Sequence, residues 1–318
     1  MTTAAAAAPP APRQSRMKLA NVTKGPLQRP HRIAIHGVEG IGKTTFGACA
    51  PNPIFLASED GASQLDVQRF PQPETWRDAL DAVAELTNEK HDRQTLVVDT
   101  LDWLEPMVWA HICSGTDKKS VEDFGYGKGY VKAVDEWRIF LAALERMRAA
   151  KPMHVILLAH TSVKAFNNPE GENYDRYQMK LHASAAALIR EWADAVFFAN
   201  HETVTRKEKD ERKAKGLSTG ARLLYTERSA AWDAKNHYNL PPTLPLSWDD
   251  FISAVEKREV ADPAEMIAAI TQNADLLPDS VKADTLASLE RAGTDPIKLA
   301  RLHSWVLSKV AQRNRAAA

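Results

Sequence analysis

The chain has 318 residues, with 41 basic and 41 acidic side chains and a formal net charge of zero, which excludes an attraction of the whole molecule to nucleic acid or membranes. Its length allows one large α/β domain, with or without a small appendage. Two cysteines are too few for a disulfide framework or a zinc site, and no apolar run approaches the roughly twenty residues of a membrane span, so we expect a cytoplasmic protein with no membrane partner.

Residues 1–28 are rich in alanine and proline and then polar, so they offer too little apolar surface to pack. We expect a disordered arm here. The arm is basic, since the first acidic residue of the chain is Glu39. A flexible basic arm can touch DNA or a neighbouring subunit, or it can serve only as a solubilising tail.

Residues 37–44 read Gly-Val-Glu-Gly-Ile-Gly-Lys-Thr, a complete G-x-x-x-x-G-K-[ST] phosphate-binding loop. The apolar run 32–36 predicts a buried strand before it, and residues 45–50 can open a helix after it, which is the context that the motif requires. Glycines let backbone N–H groups turn toward phosphates, Lys43 supplies a charge for the β- and γ-phosphates, and the Thr44 hydroxyl is placed to bind Mg²⁺. We therefore expect a nucleoside triphosphate with Mg²⁺, held by Gly37, Val38, Glu39, Gly40, Ile41, Gly42, Lys43, Thr44 and Thr45.

Apolar strands alternate with amphipathic helices after this loop. The predicted strands are residues 54–58, 95–100, 154–160 and 195–199, and the predicted helices are residues 73–86, 129–150 and a segment that ends at 193. Continuous apolar strands joined through helices indicate a mostly parallel sheet covered by helices on both faces. The charge run at 206–215 predicts the tip of a hairpin that leads to a strand at 222–226.

From residue 262 onward the pattern predicts three short helices in which nothing suggests chemistry. The last of them has an apolar stripe formed by Leu299, Leu302, Trp305 and Val306. We predict three parts for the chain: a disordered basic arm (1–28), an α/β core (29–258) and a small C-terminal helical appendage (259–318).

Polar side chains stand at the ends of several predicted strands, where open parallel sheets hold their ligands. Asp99 fits the second metal-site element of P-loop nucleotide hydrolases, which holds Mg²⁺ through water. Because Thr100 stands where many ATPases carry a glutamate, Glu59 is the expected base for the attacking water, with Asp60 as a rival. His160 is expected either to sense the γ-phosphate or to be a hydrogen-bonded histidine at the edge of the core.

The segment 161–177 is predicted to be a long loop, and such loops inside a compact domain are either functional or disordered. It interleaves basic and aromatic side chains, which suits phosphate contacts and base stacking on a single strand. Its acidic residues, Glu170, Glu172 and Asp175, weaken that interpretation. The candidate DNA-binding residues are Lys164, Phe166, Tyr174, Arg176, Tyr177 and Lys180.

In their order and spacing these segments resemble the RecA-like P-loop ATPases and, among them, the phage-encoded single-strand annealing recombinases. The likeness spans residues 32–252. It depends on GVEGIGKTT (37–45), FLASEDG (55–61), LVVDTLDWL (96–104), FGYGKGY (124–130), VILLAHTSVKAF (155–166), DRYQMKLH (175–182), EWADAVFF (191–198) and AKNHYNLP (234–241). The resemblance implies an α/β fold with a RecA-like P-loop NTPase core and ATP as the nucleotide.

The resemblance also implies a role for individual residues. Glu59 matches the catalytic glutamate, and His160 matches a polar sensor on the strand between the phosphate-loop strand and the Asp99 strand. Residues 161–180 match a mobile DNA-binding loop. Lys235 matches a basic finger that enters the ATP site of a neighbouring subunit. Relatives often carry arginine where His237 stands, so Lys235 is expected to act alone or with a protonated histidine.

As a whole, the resemblance implies a DNA-dependent ATPase that binds single-stranded DNA and promotes annealing or strand exchange in phage homologous recombination. It implies a homo-oligomer, either a filament or a ring, which hydrolyses ATP at subunit interfaces in the bacterial host cytoplasm. A single-strand-binding protein is a candidate partner of the helical appendage. Two alternatives are a hexameric helicase-type DNA motor, and a P-loop nucleotide-binding regulator or kinase that does not act on DNA.

Overall fold

The computed structural model describes residues 17–23, 29–169, 171–206, 215–259 and 263–317. The strands are β1 (Arg32–Gly37), β2 (Pro53–Ala57), β3 (Gln68–Arg69), β4 (Thr95–Asp99), β5 (His154–Phe166), β6 (Tyr174–Met179), β7 (Ala195–Arg206), β8 (Lys215–Tyr225), β9 (Lys235–Asn236) and β10 (Thr243–Pro245). The helices are α1 (Lys43–Ala48), α2 (Trp76–Asn88), α3 (Leu101–Cys113), α4 (Lys128–Ala150), α5 (Ala183–Trp192), α6 (Trp248–Glu259), α7 (Pro263–Ala274), α8 (Asp279–Ala292) and α9 (Pro296–Ala317).

One central sheet organises the fold, with the strand order β10-β8-β7-β1-β5-β4-β2-β3. β1 pairs in parallel with β5 and β7, β4 pairs in parallel with β5 and β2, and β8 and β10 extend the sheet in antiparallel fashion. The predicted α/β class with a mostly parallel sheet is therefore confirmed. β5 lies between β1 and β4, so the strand that ends at His160 separates the phosphate-loop strand from the Asp99 strand.

Both faces of the sheet are covered, which is why its central strands are continuously apolar. One apolar cluster packs α2, α3, α4 and α5 on one face, through side chains such as Trp76, Trp137 and Ile189. The other cluster packs α1 and α6 on the opposite face, through Phe46 and Phe251 among others.

The prediction of a long loop at 161–177 is wrong. β5 continues past His160 to Phe166 and pairs antiparallel with β6 from Thr161↔Met179 to Phe166↔Tyr174. β-branched and aromatic side chains in both arms favour extended structure, and the pairing gives their backbone groups hydrogen-bond partners. The segment is a β-hairpin that projects from the sheet.

Helix α3 was not predicted from the sequence. Its segment is apolar without a strong helical stripe, and Pro106 lies inside it. Such a helix shows little amphipathic periodicity, because it packs with several sides against α2, α4 and β5. α3 matters for the site, because Asp102 and Glu105 lie on it.

The predicted hairpin around the charge run is confirmed, since β7 and β8 pair antiparallel on either side of it. Its partner strand begins at Lys215 rather than at residue 222, and residues 207–214 lie outside the described residues.

The last three helices form as predicted, although α9 is long rather than short. They share an apolar cluster that includes Ile270, Leu299 and Val306, while the boundary at residue 259 stays a prediction. Most of the predicted arm lies outside the described residues; within 17–23, Leu19–Asn21 forms a 3-10 turn. None of the described helices is both long and apolar enough to cross a bilayer.

Candidate functional site

The phosphate-binding loop joins β1 to α1, with Lys43 as the first residue of the helix. Gly40 and Gly42 have positive φ angles of 69° and 110°, a conformation that side chains other than glycine rarely adopt. A Cβ on Gly37 would lie 2.3 Å from the Ala199 carbonyl oxygen, so glycine also permits the close contact with β7. Ile41 is fully buried and anchors the loop to the core.

The Lys43 side chain folds back onto the phosphate-binding loop. Its ammonium donates to the carbonyl oxygens of Gly37 and Val38, both at 3.0 Å. The side chain is buried, and that burial lowers the pKa of Lys43, whereas nearby carboxylates, Asp99 foremost, raise it. The charge is thus held where the phosphates of a nucleotide would arrive.

Thr44 and Asp99, which the sequence predicts to hold the metal, are hydrogen-bonded to each other. The Thr44 hydroxyl donates to Asp99 Oδ2 at 2.8 Å. Asp99 is buried, and its other oxygen, Oδ1, has no hydrogen-bond partner among the described residues. Burial raises the pKa of Asp99. A buried carboxylate with one unsatisfied oxygen beside a hydroxyl fits Mg²⁺, a hard cation that prefers oxygen ligands.

His160 lies between two carboxylates next to this pair. Its Nδ1–H donates to Asp102 Oδ2 at 2.9 Å, and its backbone N–H donates to Asp102 Oδ1 at 2.8 Å. On the other side of the ring, Nε2 lies 3.8 Å from Glu59 Oε1. A Cβ on Gly61 would be 3.6 Å from Glu59 Oε1 and 3.9 Å from Thr44 Oγ1, so the glycine leaves the space between them open.

The charged groups of this cluster shift one another's pKa values. The hydrogen bond that the His160 ring donates to Asp102 raises the pKa of His160, and the nearby Glu59 raises it further. Burial raises the pKa of Glu59, and Asp99 and Asp102 add to that rise, while His160 and Lys43 oppose it. Glu59 therefore has a higher proton affinity than a free glutamate, a property that suits a general base.

The structure thus brings Lys43, Thr44, Glu59, Asp99 and His160 together at the carboxyl ends of β1, β2, β4 and β5. Sequence reasoning missed Asp102, which lies on α3 shortly after Asp99 in the segment LVVDTLDWL. It also missed Arg222 on β8, whose Nη1 would lie 3.2 Å from a Cβ on Gly42. An acidic residue within an apolar segment could have indicated a functional role for Asp102. No feature of the neighbouring sequence indicates that Arg222 lies near the phosphate-binding loop.

A family model described as an AAA domain, AAA_24, matches residues 29–238. The chain belongs to this family of AAA domains. A comparison with curated proteins finds no match to the chain. Membership in the AAA family agrees with the geometry just described, because these domains are P-loop ATPases and the nucleotide-binding loop lies within the matched residues.

Five of the six candidate DNA-binding residues in this AAA domain are at least partly exposed on the β5–β6 hairpin or its base. Lys164 and Lys180 are exposed, while Phe166 and Tyr174 are partly exposed with ring centroids 5.2 Å apart. Lys164 also donates to the Leu181 carbonyl at 3.0 Å. These side chains form a mixed basic and aromatic surface.

Two of the six, Arg176 and Tyr177, also pack against the body of the protein, and of these only Arg176 is buried. Arg176 is 2% exposed and donates to Asp233 Oδ1 at 2.6 Å. The Tyr177 ring stacks on Phe198 with centroids 5.0 Å apart, next to Trp232. Arg176 in this conformation is not a surface group for a strand that lies along the hairpin.

Lys235 lies beside the amino end of β7, whereas the phosphate loop follows the carboxyl end of the neighbouring strand β1. Its ammonium donates to three carbonyl oxygens at the end of α5, those of Arg190, Glu191 and Ala193, at 2.9, 3.0 and 2.6 Å. Lys235 thus caps α5 of its own chain. It does not approach the ATP site of its own chain.

Two buried groups connect the site to its surroundings. His36 precedes the phosphate loop, and its Nε2–H donates to the Asp233 carbonyl at 2.8 Å; burial lowers the pKa of His36 to about 4. Glu105 on α3 accepts from the His182 backbone N–H at 3.0 Å, directly after the hairpin, and burial raises the pKa of Glu105 to about 7.

Proposed function

We propose that this AAA domain is a DNA-dependent ATPase that binds single-stranded DNA and promotes annealing or strand exchange in phage homologous recombination. The observation that carries the proposal is the continuity of β5. One strand contains His160, in the acidic cluster of the nucleotide site, and then forms an arm of the hairpin with Lys164 and Phe166. A change at the nucleotide has a direct structural connection to the basic and aromatic surface.

Each residue of the nucleotide site has its own role in hydrolysis. Lys43 and the loop amides hold the β- and γ-phosphates of ATP, and Thr44 and Asp99 hold Mg²⁺. Mg²⁺, when bound, supplies positive charge that offsets the charge building on the phosphate oxygens. Glu59 accepts a hydrogen bond from the attacking water and takes its proton, and His160 responds to the γ-phosphate from its position 3.8 Å from Glu59.

A homo-oligomer is part of this proposal, either a filament or a ring. Lys235 does not assist its own phosphate loop, because it lies at the amino end of β7 and its ammonium is bonded to three carbonyl oxygens there. As a trans-acting finger it would exchange its three carbonyl partners on α5 for phosphate oxygens of a neighbouring subunit. The α7–α9 helices, with a core of their own, are the proposed contact for a single-strand-binding protein.

The first test is ATP hydrolysis by wild type, Lys43→Ala and Glu59→Gln, with and without single-stranded DNA. We expect DNA to raise wild-type turnover several-fold, both variants to be inactive, and Glu59→Gln to retain ATP binding. Asp60→Asn is the matched control, because Asp60 is the adjacent exposed carboxylate. Loss of activity in Asp60→Asn with retention in Glu59→Gln would reverse the assignment of the base.

Two further measurements separate the alternatives. Annealing of complementary single strands by the protein supports the proposal, whereas unwinding of a forked duplex would identify a helicase-type motor. Turnover that ignores DNA, together with no DNA bound in the presence of ATP, would refute the proposal. A phosphorylated small-molecule product would then point to a kinase.

A further inference from the structure

A cavity of about 390 Å³ lies between the β5–β6 hairpin, α5 and the segment 228–235. None of its described lining residues belongs to the phosphate-binding loop or to the acidic cluster. Its polar lining consists of Arg176, Gln178, Arg190, Arg228, Asp233 and Lys235. The cavity is therefore a separate polar site within the AAA domain.

The charges that line this cavity are not balanced. Asp233 is the one carboxylate among the described lining residues, and it faces three guanidinium groups. Its oxygens lie 2.6 Å from Arg176 Nη2, 2.8 Å from Arg190 Nη1 and 3.7 Å from Arg228 Nε. A single negative charge cannot neutralise three positive ones, so the cluster attracts an anion.

Arg176 supplies the strongest indication of a ligand. The side chain is 2% exposed, yet its Nε–H has no hydrogen-bond partner in the part of the chain that the structure describes. Burial lowers the pKa of Arg176 and Asp233 raises it, while the neighbouring Arg228 and Arg190 lower it further. A buried guanidinium with an unused donor is costly unless an acceptor, best a charged one, completes it.

We propose that this cavity is a second phosphate-binding site, which takes a phosphate group of a nucleic-acid strand or of a free nucleotide. Arginine forks match the geometry of phosphate oxygens, and three of them converge here. The volume exceeds that of one phosphate group and leaves room for the attached sugar. The nucleic-acid source rests on the proposed function; the free-nucleotide source does not.

One hydrogen bond links the cavity to β1, the strand that leads into the phosphate-binding loop. Asp233 pairs with the arginines through its side chain and accepts a hydrogen bond from His36 through its carbonyl oxygen. His36 directly precedes Gly37 of the phosphate-binding loop. An anion that draws the arginines away from Asp233 thus acts on a residue bonded to β1.

The test compares Arg228→Ala with Arg138→Ala. Arg228 is 62% exposed and Arg138 is 60% exposed, and each is paired with one aspartate, so both substitutions remove an equivalent surface charge. Binding of a labelled single-stranded oligonucleotide is measured over a range of salt concentrations. We expect Arg228→Ala to weaken binding about tenfold and to reduce the slope of log K against log salt by about 0.7, with no change in Arg138→Ala.

A second arm identifies the source of the phosphate. In a Lys43→Ala background, inorganic pyrophosphate is added and the melting temperature is measured with and without Arg228→Ala. Stabilisation that depends on Arg228 identifies a free phosphate as the ligand. Oligonucleotide binding that depends on Arg228, without this stabilisation, identifies the strand backbone.

The same data separate this proposal from the proposed function. If wild type binds no oligonucleotide, the DNA-dependent function fails and the pyrophosphate arm alone decides the cavity. If wild type binds the oligonucleotide and both arginine variants bind it equally well, with no effect of Arg228 on stabilisation by pyrophosphate, the second phosphate site is refuted while the function stands.

Discussion

Asp102 fixes His160 through two hydrogen bonds, one to the backbone N–H and one to the imidazole Nδ1–H. The Asp102 side chain is 3% exposed, so water does not compete for these bonds. Because Nδ1 carries the proton toward Asp102, Nε2 is the ring atom that faces Glu59. Asp102 is a positioning residue for the nucleotide site.

Asp102→Asn is expected to reduce ATP turnover about 10- to 100-fold with little change in KM for ATP. The asparagine still accepts from the backbone N–H but no longer raises the pKa of His160. The pH at which His160 loses its proton should therefore be lower in the variant than in wild type. The pH profile of kcat checks this, and an unchanged profile would assign Asp102 a purely structural role.

Asp99→Asn is expected to lose Mg²⁺-dependent ATP hydrolysis without loss of stability. The substitution removes the desolvation cost of a buried carboxylate, and this gain offsets the lost attraction between Asp99 and Lys43. Titration with Mg²⁺ measures the catalytic effect, and chemical denaturation measures the free energy of unfolding. A strongly destabilised Asp99→Asn protein would contradict the assignment of Asp99 to the metal.

We expect the buried His36 to make the protein less stable in acid. Its pKa falls from 6.5 to about 4 on folding, so its contribution is complete above pH 6.5 and is lost as the pH falls toward 4. His36→Gln retains hydrogen-bonding atoms without this titration. The difference in unfolding free energy between wild type and His36→Gln should therefore shrink across that range. A difference that is constant with pH would contradict the prediction.

For Glu105 we expect the opposite dependence of stability on pH. Its pKa rises from 4.5 to about 7 on folding, so wild type loses stability as the pH rises through this interval. Glu105→Gln should be more stable than wild type above pH 7, by at most roughly 3 kcal/mol, and should lose this advantage below pH 4.5. Melting temperatures of both proteins against pH provide the measurement. Equal curves would place Glu105 in a more polar environment than its burial indicates.

The phosphate-binding loop and the sheet were predictable because their signals are local. Gly37 to Thr44 specify the loop by residue type, and continuously apolar strands specify a covered sheet. The role of Asp102 was not predictable, because it depends on α3 bringing the carboxylate against β5. The contacts of Lys235 were not predictable either, since its three carbonyl partners lie at the end of a helix more than forty residues earlier.

The hairpin shows a different limit. Alternation places Arg176 on one face of β6, but only the tertiary structure decides whether that face meets solvent or the body of the protein. Here Asp233 and the carbonyl oxygens of Ser229 and Trp232 receive its guanidinium. The sequence therefore indicated a basic, aromatic segment correctly and could not say which of its side chains remain accessible.

The uninterrupted course of β5 has a mechanical consequence. From His160 to Phe166 the strand extends about 20 Å beyond the nucleotide site, at roughly 3.3 Å per residue. A strand paired along its whole length bends little, so it behaves as a lever with its fulcrum at the end of the parallel sheet. A tilt of about 10° at His160 would move the Phe166 end by about 3.5 Å, roughly the spacing between stacked bases.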